Sequence, residues 1–552
     1  MDTAKKLAQQ SLTVLAGCMA MLVQAQTWQW ARPLHHTNGV SVGCDAQGNI
    51  SFIGRFGGGG AIYGNDTLPT GLANRVLGML DGSGNFLWAE LMFTQVQSYL
   101  VDASEEDLMM FTNHARSDRA ILAYFRGDAY LDTAHLVSAT NKFLLAQFNA
   151  DGSLRWRKLF GGLYYDLIVS GTMDEAGSIY LAADFEAPGP GPLDGVAIPS
   201  GEVILKFDSS GTCQWATRLS TTAFNQDIAV MDDLLVAAGW TPGGDTVWVD
   251  TLAQYIPGPS GLISRWDPES GHVIWVTAIE RGGMYDCTIG SDRRLYINGL
   301  HSHIVVVGND TLAASPGSVP WFGCFDETGQ GLWAKGTQVS TLSANPVPMD
   351  IQAVDSTGFY STGRLELSPF DISFDGFVVS NPGWPYSLSA YVVRYDRDGH
   401  CLGVASGTRA FPWQVLAFPD GGAALMGQYD AMADLTLGSI LVPTAQSGAD
   451  HFIARLDAIT GVEDLKSGPS QELHIYANPN RGSFTLRVPE HAGSLRNAVL
   501  RVYDNQGVQV RSFNLAPAST QQVEMGVVPA GLYLLELHAE GRVWRGRMVV
   551  AP

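Results

Sequence analysis

The sequence predicts an all-β fold, and three observations predict it. The phrase Gly-x-x-x-Trp returns at Gly84…Trp88, Gly152…Trp156, Gly211…Trp215, Gly271…Trp275 and Gly329…Trp333, with Trp spacings of 68, 59, 60 and 58. A short apolar, β-branched run ending in Asp precedes the turns, as in Val203-Ile204-Leu205-Lys206-Phe207-Asp208 and Tyr391-Val392-Val393-Arg394-Tyr395-Asp396. No long stretch carries helical periodicity. The chain has 552 residues, which requires several domains or one large repeat array. With 46% hydrophobic and 16% charged residues, wholesale disorder is excluded. The net charge of −21 argues against nucleic-acid binding, because a phosphate backbone would be repelled.

Residues 1–25 read as a secretory signal: Lys5 and Lys6 give a positive start, 11–23 is apolar, and Val23-Gln24-Ala25 ends in a small residue suited to cleavage. Leu15-Ala16-Gly17-Cys18 is a competing signal, because it resembles a bacterial lipobox that would lipidate Cys18. No later stretch is long and apolar enough for a membrane helix, so none is expected in the mature chain. The five Cys that would remain, Cys44, Cys213, Cys287, Cys324 and Cys401, are too few and scattered for a disulfide scaffold and read as buried apolar residues.

Residues 26–462 repeat. Asp followed by Gly marks one hairpin in each unit, because Asp favours the turn and Gly accepts positive φ. A second hairpin lies upstream, with turn residues Asp45, Asp102, Asp174, Asp232, Asp292, Asp355 and Asp420. Each of seven units therefore has four strands, here called first to fourth. Gly399-His400-Cys401-Leu402-Gly403 keeps the turn and loses the Trp. The seventh unit lacks its fourth strand, and Trp28-Gln29-Trp30-Ala31-Arg32 matches Trp88-Ala89-Glu90 and Trp215-Ala216-Thr217. Strand 27–33 is thus expected to complete the last unit and close a ring, which defines a seven-bladed β-propeller. An open array of sandwich modules would need more strands per unit. The body also resembles a secreted bacterial β-propeller repeat family, through Asp227-Ile228-Ala229-Val230…Gly239 followed by a strand, Asp-x-x-Gly and Trp; that resemblance implies fold and is nearly silent on function.

Residues 463–471 have linker composition, and the tail 472–552 differs in charge: it has no Lys and nets +2, leaving −24 on the body. Its turns are Pro-Asn-x-Gly at Pro479, Asn480 and Gly482, and Asp-Asn-x-Gly ending at Gly507; Pro529-Ala530-Gly531-Leu532-Tyr533-Leu534 and Arg547-Met548-Val549-Val550 follow. Physics alone gives a β-sandwich. The ordered set resembles the C-terminal sorting domain of type IX secretion cargo in Bacteroidota. That resemblance implies recognition by an outer-membrane translocon. It also implies removal by a sortase-like protease near the linker, leaving cargo attached to the outer surface or released.

The connections between second and third strands are long, at 186–200, 240–259, 300–318 and 364–388, and hold Trp248, Tyr255 and Trp384. With Trp413 they make a loop face expected to bind protein or glycan, or to cap neighbouring blades. Asp166, Asp227, Asp286 and Asp350 are read at one repeat position before the innermost strand. Converging carboxylates suit a hard cation such as calcium. The competing reading, which recurrence favours, is that each accepts backbone N–H bonds from the next blade. His301-Ser302-His303 and His35-His36 lack a third ligand nearby, and Asn65-Asp66-Thr67 and Asn309-Asp310-Thr311 repeat one loop phrase. No catalytic motif is present, so no cofactor is expected and an enzyme is the less favoured reading. Three functions are therefore carried: an exported binding propeller, an extracellular polysaccharide hydrolase or lyase drawing acids from several blades, and a structural surface-layer component.

Overall fold

The computed structural model describes residues 27–459 apart from 57–58, 71–73, 92, 98–107, 113–116, 132–133, 162–165, 187–190, 221–223, 316, 342–344, 367–368, 382–388, 431–433 and 445–448, and residues 474–550 apart from 477–479, 481, 488–497, 504–508, 516–519, 527, 530 and 540–541. The expected signal segment 1–25 and the linker 463–471 lie outside them. Two compact units emerge, one of Ala25–Thr460 and one containing Gly461–Pro552.

Among the described residues of the larger unit, seven antiparallel sheets share one plan. Sheet I pairs Thr37–Cys44, Ile50–Phe56, Asn74–Leu80 and Phe86–Leu91 in that order. Sheet II has Leu108–Thr112, Arg119–Leu131, Ala134–Phe148 and Leu154–Phe160, with Phe93–Gln97 added along Arg119–Leu131. Sheet III runs Leu167–Met173, Ile179–Phe185, Gly201–Phe207 and Cys213–Ser220, and sheet IV Phe224–Met231, Leu234–Thr241, Ser260–Trp266 and Val273–Glu280. Sheet V consists of Gly282–Ile289, Leu295–His301, Val319–Phe325 and Gly331–Gly336; sheet VI of Asn345–Val354, Gly358–Glu366, Ser389–Asp396 and Cys401–Thr408. Sheet VII takes Phe411–Ala417, Ala423–Asp430 and Ala449–Leu456 and adds Trp28–Leu34 from the other end of the sequence, with Trp28 opposite Leu456 and Leu34 opposite His451. First strands of neighbouring sheets lie side by side all the way round, sheet VII back against sheet I. This is a propeller-like, all-β arrangement.

The third strands read as continuous apolar runs because both faces are covered by neighbouring sheets. Val203, Ile204, Leu205 and Phe207 are all buried. A burial of this kind contributes roughly 1.5–3 kcal/mol per side chain. In sheets I, III, IV, V and VI the run stops where Asp turns its carboxylate on its own loop: Asp208 Oδ1 accepts from Ser210 N at 2.9 Å and Thr212 N at 3.0 Å. Gly271 follows in the equivalent turn of sheet IV at φ 72°, where a side chain would be strained.

The Gly-x-x-x-Trp phrase links one sheet to the next. Trp215 Nε1 donates to Pro268 O at 3.1 Å, and its ring lies where a Cβ on Gly271 would sit, 2.5 Å from the nearest ring atom. Trp156 does the same at Ser209 O and Gly211, Trp275 at Glu327 O and Gly329, and Trp333 at Arg397 O and Gly399. Trp30, on the strand completing sheet VII, donates to Gly82 O at 3.1 Å and stacks on Gly84 of sheet I. The seam thus uses the same lock as four of the interior junctions.

One turn assignment needs correction. The first two strands of sheet II are Leu108–Thr112 and Arg119–Leu131, so their turn falls at 113–118 and not at Asp102, which lies outside the described residues. More residues separate Leu91 from Leu108 than separate the corresponding strands of the other sheets.

The smaller unit holds a three-stranded sheet, His474–Tyr476, Ser483–Arg487 and Thr520–Glu524, and a four-stranded sheet ordered Gln509–Asn514, Val499–Tyr503, Gly531–Ala539, Arg542–Val550. Phe484, Leu486, Leu500, Val502, Leu535 and Leu537 share its core.

Candidate functional site

The long connections are not open loops. Those of sheets IV, V and VI fold as hairpins, as do the connections in sheets I and VII: Asp245–Val249 with Leu252–Ile256, Val305–Val307 with Asp310–Leu312, Phe370–Phe374 with Phe377–Asn381, Gly59–Tyr63 with Asp66–Thr70, and Leu435–Leu437 with Ile440–Val442. Each leaves from the end of a second strand, yet several tips are fastened to a fourth strand. Asp66 Oδ2 accepts from Ala89 N at 2.8 Å, Asp310 Oδ2 from Ala334 N at 3.0 Å, Asp250 Oδ2 from Val273 N at 3.3 Å and Asp375 Oδ2 from Cys401 N at 3.2 Å. Asp194, in the short turn of sheet III, accepts from Cys213 N at 2.7 Å. Val273 and Cys401 stand two residues past the turn glycines, so these hairpins fold back along the outer strand of their sheets. The repeated Asn-Asp-Thr phrase is this clamp.

Of the expected binding-face residues that are described, Trp248 and Tyr255 share one hairpin and Trp413 stands apart from them. Trp248 and Tyr255 sit exposed on the outer hairpin of sheet IV. Trp413 lies on the innermost strand of sheet VII, packed against Phe411 with ring centroids 4.8 Å apart. Trp384 lies outside the described residues.

The first strands enclose a central cavity of about 270 Å³, to which every one of the seven sheets contributes. In six of the seven sheets one equivalent position bonds to the next first strand around it. Asp227 Oδ2 accepts from Cys287 N at 3.0 Å, Asp286 Oδ2 from Ile351 N at 3.1 Å and Asp350 Oδ2 from Val415 N at 2.6 Å. Gln414 Oε1 accepts from Val42 N at 3.0 Å, Ser41 Oγ from Met110 N at 3.0 Å and Ser170 Oγ from Ile228 N at 3.3 Å. A bulge just before these residues turns each side chain toward its neighbour.

Asp166 is not among them. Ser170, four residues on, holds that position in sheet III, while Asp166 Oδ1 accepts from Glu186 N at 3.0 Å within its own sheet. The same bulge precedes the equivalent residue in the other sheets, so Ser170 and not Asp166 is the counterpart of Asp227, which spacing alone does not reveal. Three carboxylates do converge: Cys287 N is also 3.2 Å from Asp286 Oδ1, and Ile351 N is 2.8 Å from Asp350 Oδ1, so neighbouring carboxylates share donors. Burial, then the Asp227 and Asp350 charges, raise the Asp286 carboxyl well above the usual carboxylate range. Burial raises Asp350 as well. The arrangement favours a retained proton. Among the described residues no group of three or more His, Cys, Asp or Glu has the placement to hold a metal ion. The backbone bonds from the next sheet account for these carboxylates, and the calcium reading is not carried further. His301 is buried, with Nδ1 3.0 Å from His303 O. Cys44, Cys213, Cys287, Cys324 and Cys401 are all buried.

In the smaller unit the motif residues hold the fold. Asn480 is buried; its Oδ1 accepts from Gly482 N at 2.7 Å, and it bridges to Val550. Tyr533 is buried and donates to Pro529 O at 2.8 Å. Gly531 opens the strand Gly531–Ala539. Pro479 and Gly507 lie outside the described residues.

The chain is all-β, a propeller-like body followed in sequence by this sandwich. Residues 474–551 match the secretion system C-terminal sorting domain, which makes the chain a type IX secretion cargo, exported across the outer membrane to the cell surface or the extracellular space. No curated protein matches the chain. Among solved structures it is similar to a DUF4221 family member from Bacteroides vulgatus, at 12% identity over 64% of this chain and 93% of that one, TM-score 0.33. It is similar also to the Dos1 propeller, at 11% identity over 80% and 92%, TM-score 0.32. Quinohemoprotein alcohol dehydrogenase from Comamonas testosteroni matches at 10% identity over 84% and 80%, TM-score 0.35. At these scores the likenesses carry no argument, and the fold rests on the strand pairings. Among the described residues no helix is long and apolar enough to cross a membrane.

Proposed function

We propose that the chain is a non-enzymatic binding protein: a seven-bladed propeller over 26–462, delivered by the sorting sandwich 472–552 and freed from it in the linker 463–471 by a sortase-like protease. The observation that carries the reading is the state of the central cavity. Its carboxylates, Gln414, Ser41 and Ser170 already accept backbone N–H groups from the adjacent sheets. A general acid or base needs a proton-transfer group within reach of substrate, and groups committed to holding the ring serve that poorly. Exposed aromatic surface lies instead on an outer hairpin.

Two measurements test this. Cells expressing the chain without 472–552 should retain it in the periplasm, whereas the full chain reaches the outer surface or the medium. The exported protein incubated with extracellular polysaccharides should release no new reducing or unsaturated ends; steady turnover would replace the binding reading by a hydrolase or lyase.

A further inference from the structure

We propose that the hairpin Asp245–Val249/Leu252–Ile256 on sheet IV is a stacking site for the sugar rings of an uncharged polysaccharide, with Trp248 and Tyr255 as its platforms. This rests on the binding reading above and gives it a place and a ligand class.

Alternation fixes what the hairpin shows to solvent. Val247, Val249 and Ile256 are buried in the cluster that holds Tyr180 and Trp215 of sheet III and Leu235 and Leu262 of sheet IV. The opposite face carries Thr246 across from Tyr255 and Trp248 across from Ala253. Trp248 is 51% exposed and Tyr255 66%. The two rings stand on a diagonal of the ladder, about 7–8 Å apart at the backbone. Their direct partners, Thr246 and Ala253, are too small to cover an aromatic face.

The other hairpins show that this is a departure from the repeat. The equivalent outward pair is Ile62 with Thr67 in sheet I, Val306 with Thr311 in sheet V, Ser373 with Val378 in sheet VI, and Thr436 with Leu441 in the last hairpin. Each exposes one aliphatic group. A rim position that needs only a small apolar side chain carries Trp in sheet IV, with Tyr on the adjoining rung.

The ligand class follows from the surroundings. A pyranose offers an apolar C–H face and hydroxyls at its edge. The electron-rich face of Trp or Tyr takes the former, and the hydroxyl of the half-buried Thr246, on the same face and directly opposite Tyr255, offers a partner to the latter. Residues 240–260 contain no Lys or Arg, and the body nets −24, so a polyanion is repelled. Two rings on one hairpin fall short of the roughly 800 Å² per partner that a stable protein interface buries.

The test is affinity electrophoresis of the full-length protein through native gels containing amylose, dextran, mannan or xylan, and alginate as the anionic comparison. At least one neutral polysaccharide should retard the protein and alginate should not. Trp248→Ala and Tyr255→Ala should each weaken retardation by about tenfold. Ile62→Ala, the same rim position in sheet I, should leave it unchanged, and all variants should melt with the parent. Undiminished retardation of W248A and Y255A sinks the platform while leaving the binding reading standing. No retardation by any neutral polysaccharide, or equal loss in I62A, sinks the inference outright. Oligosaccharides released from a retarding gel would overturn the binding reading itself.

Discussion

Asp286 titrates against its surroundings, and the consequence has a definite sign. Its folded-state pKa is raised by burial and by the Asp227 and Asp350 charges, so the folded chain holds a proton that the unfolded chain gives up near pH 3.9. Stability from this group is complete below that value and is lost as pH rises toward the folded pKa. Asp286→Asn keeps an acceptor for Ile351 N and removes the charge. It should therefore melt higher than the parent at pH 8 and show a flatter pH profile; superimposable profiles would refute this. His451 acts in the opposite direction. Burial pushes it down to about 4, and its Nδ1 lies 2.8 Å from Thr37 O. Below about pH 6.5 the unfolded chain gains the proton first, so stability falls with acidification toward pH 4. Calorimetry of His451→Gln should show part of that acid limb removed.

At the scale of elements, the turns were the most legible part of the sequence. Asp and Gly at fixed spacing mark third-to-fourth turns because each residue has a local job that spacing alone records. The partner of the repeated Trp was not legible, since it belongs to the next sheet. Gly271→Ala tests that lock. The added Cβ would meet the Trp215 ring 2.5 Å away, at a φ of 72°. A loss of about 2–3 kcal/mol is expected, read as a lower denaturation midpoint. The long connections were read as loops although their Gly-Asn-Asp and Asp-Gly pairs are hairpin signals. What hid them was length: the flanking strands are as short as Val305–Val307, too brief for alternation to show. Asp310→Ala should cost about 1 kcal/mol by freeing Ala334 N and should raise amide exchange in Gly331–Gly336. An unchanged exchange pattern would remove the clamp.

At the scale of the whole molecule, the fold class was legible from the repeat and the sorting domain from its ordered motifs. The cavity was only half so. Three of its four expected acids converge, and Asp166 does not, because Ser170, four residues on, holds the equivalent position in sheet III. The outer placement of Trp248 and Tyr255 could not be read either, since it depends on hairpins doubling back. The join between sheets VII and I is dense: Asp450 Oδ1 accepts from His36 N at 3.0 Å, His35 Nδ1 lies 2.9 Å from Asp450 Oδ2, and Arg32 Nε donates to Gly84 O at 2.6 Å. Trp30→Ala removes both a ring contact and a hydrogen bond there, and should cost roughly 3–5 kcal/mol. Limited proteolysis should then cut near the amino terminus first; cleavage elsewhere with that end protected would contradict it.

That join also imposes a timetable. Trp28 finds its partner only at Leu456, so a ribosome must deliver nearly the whole body before the circle can lock. Contacts this distant along the chain are slow to form. Until they do, the long edge of Ala449–Leu456 stands uncovered, and a chain caught at that stage offers its neighbours a ready strand to copy.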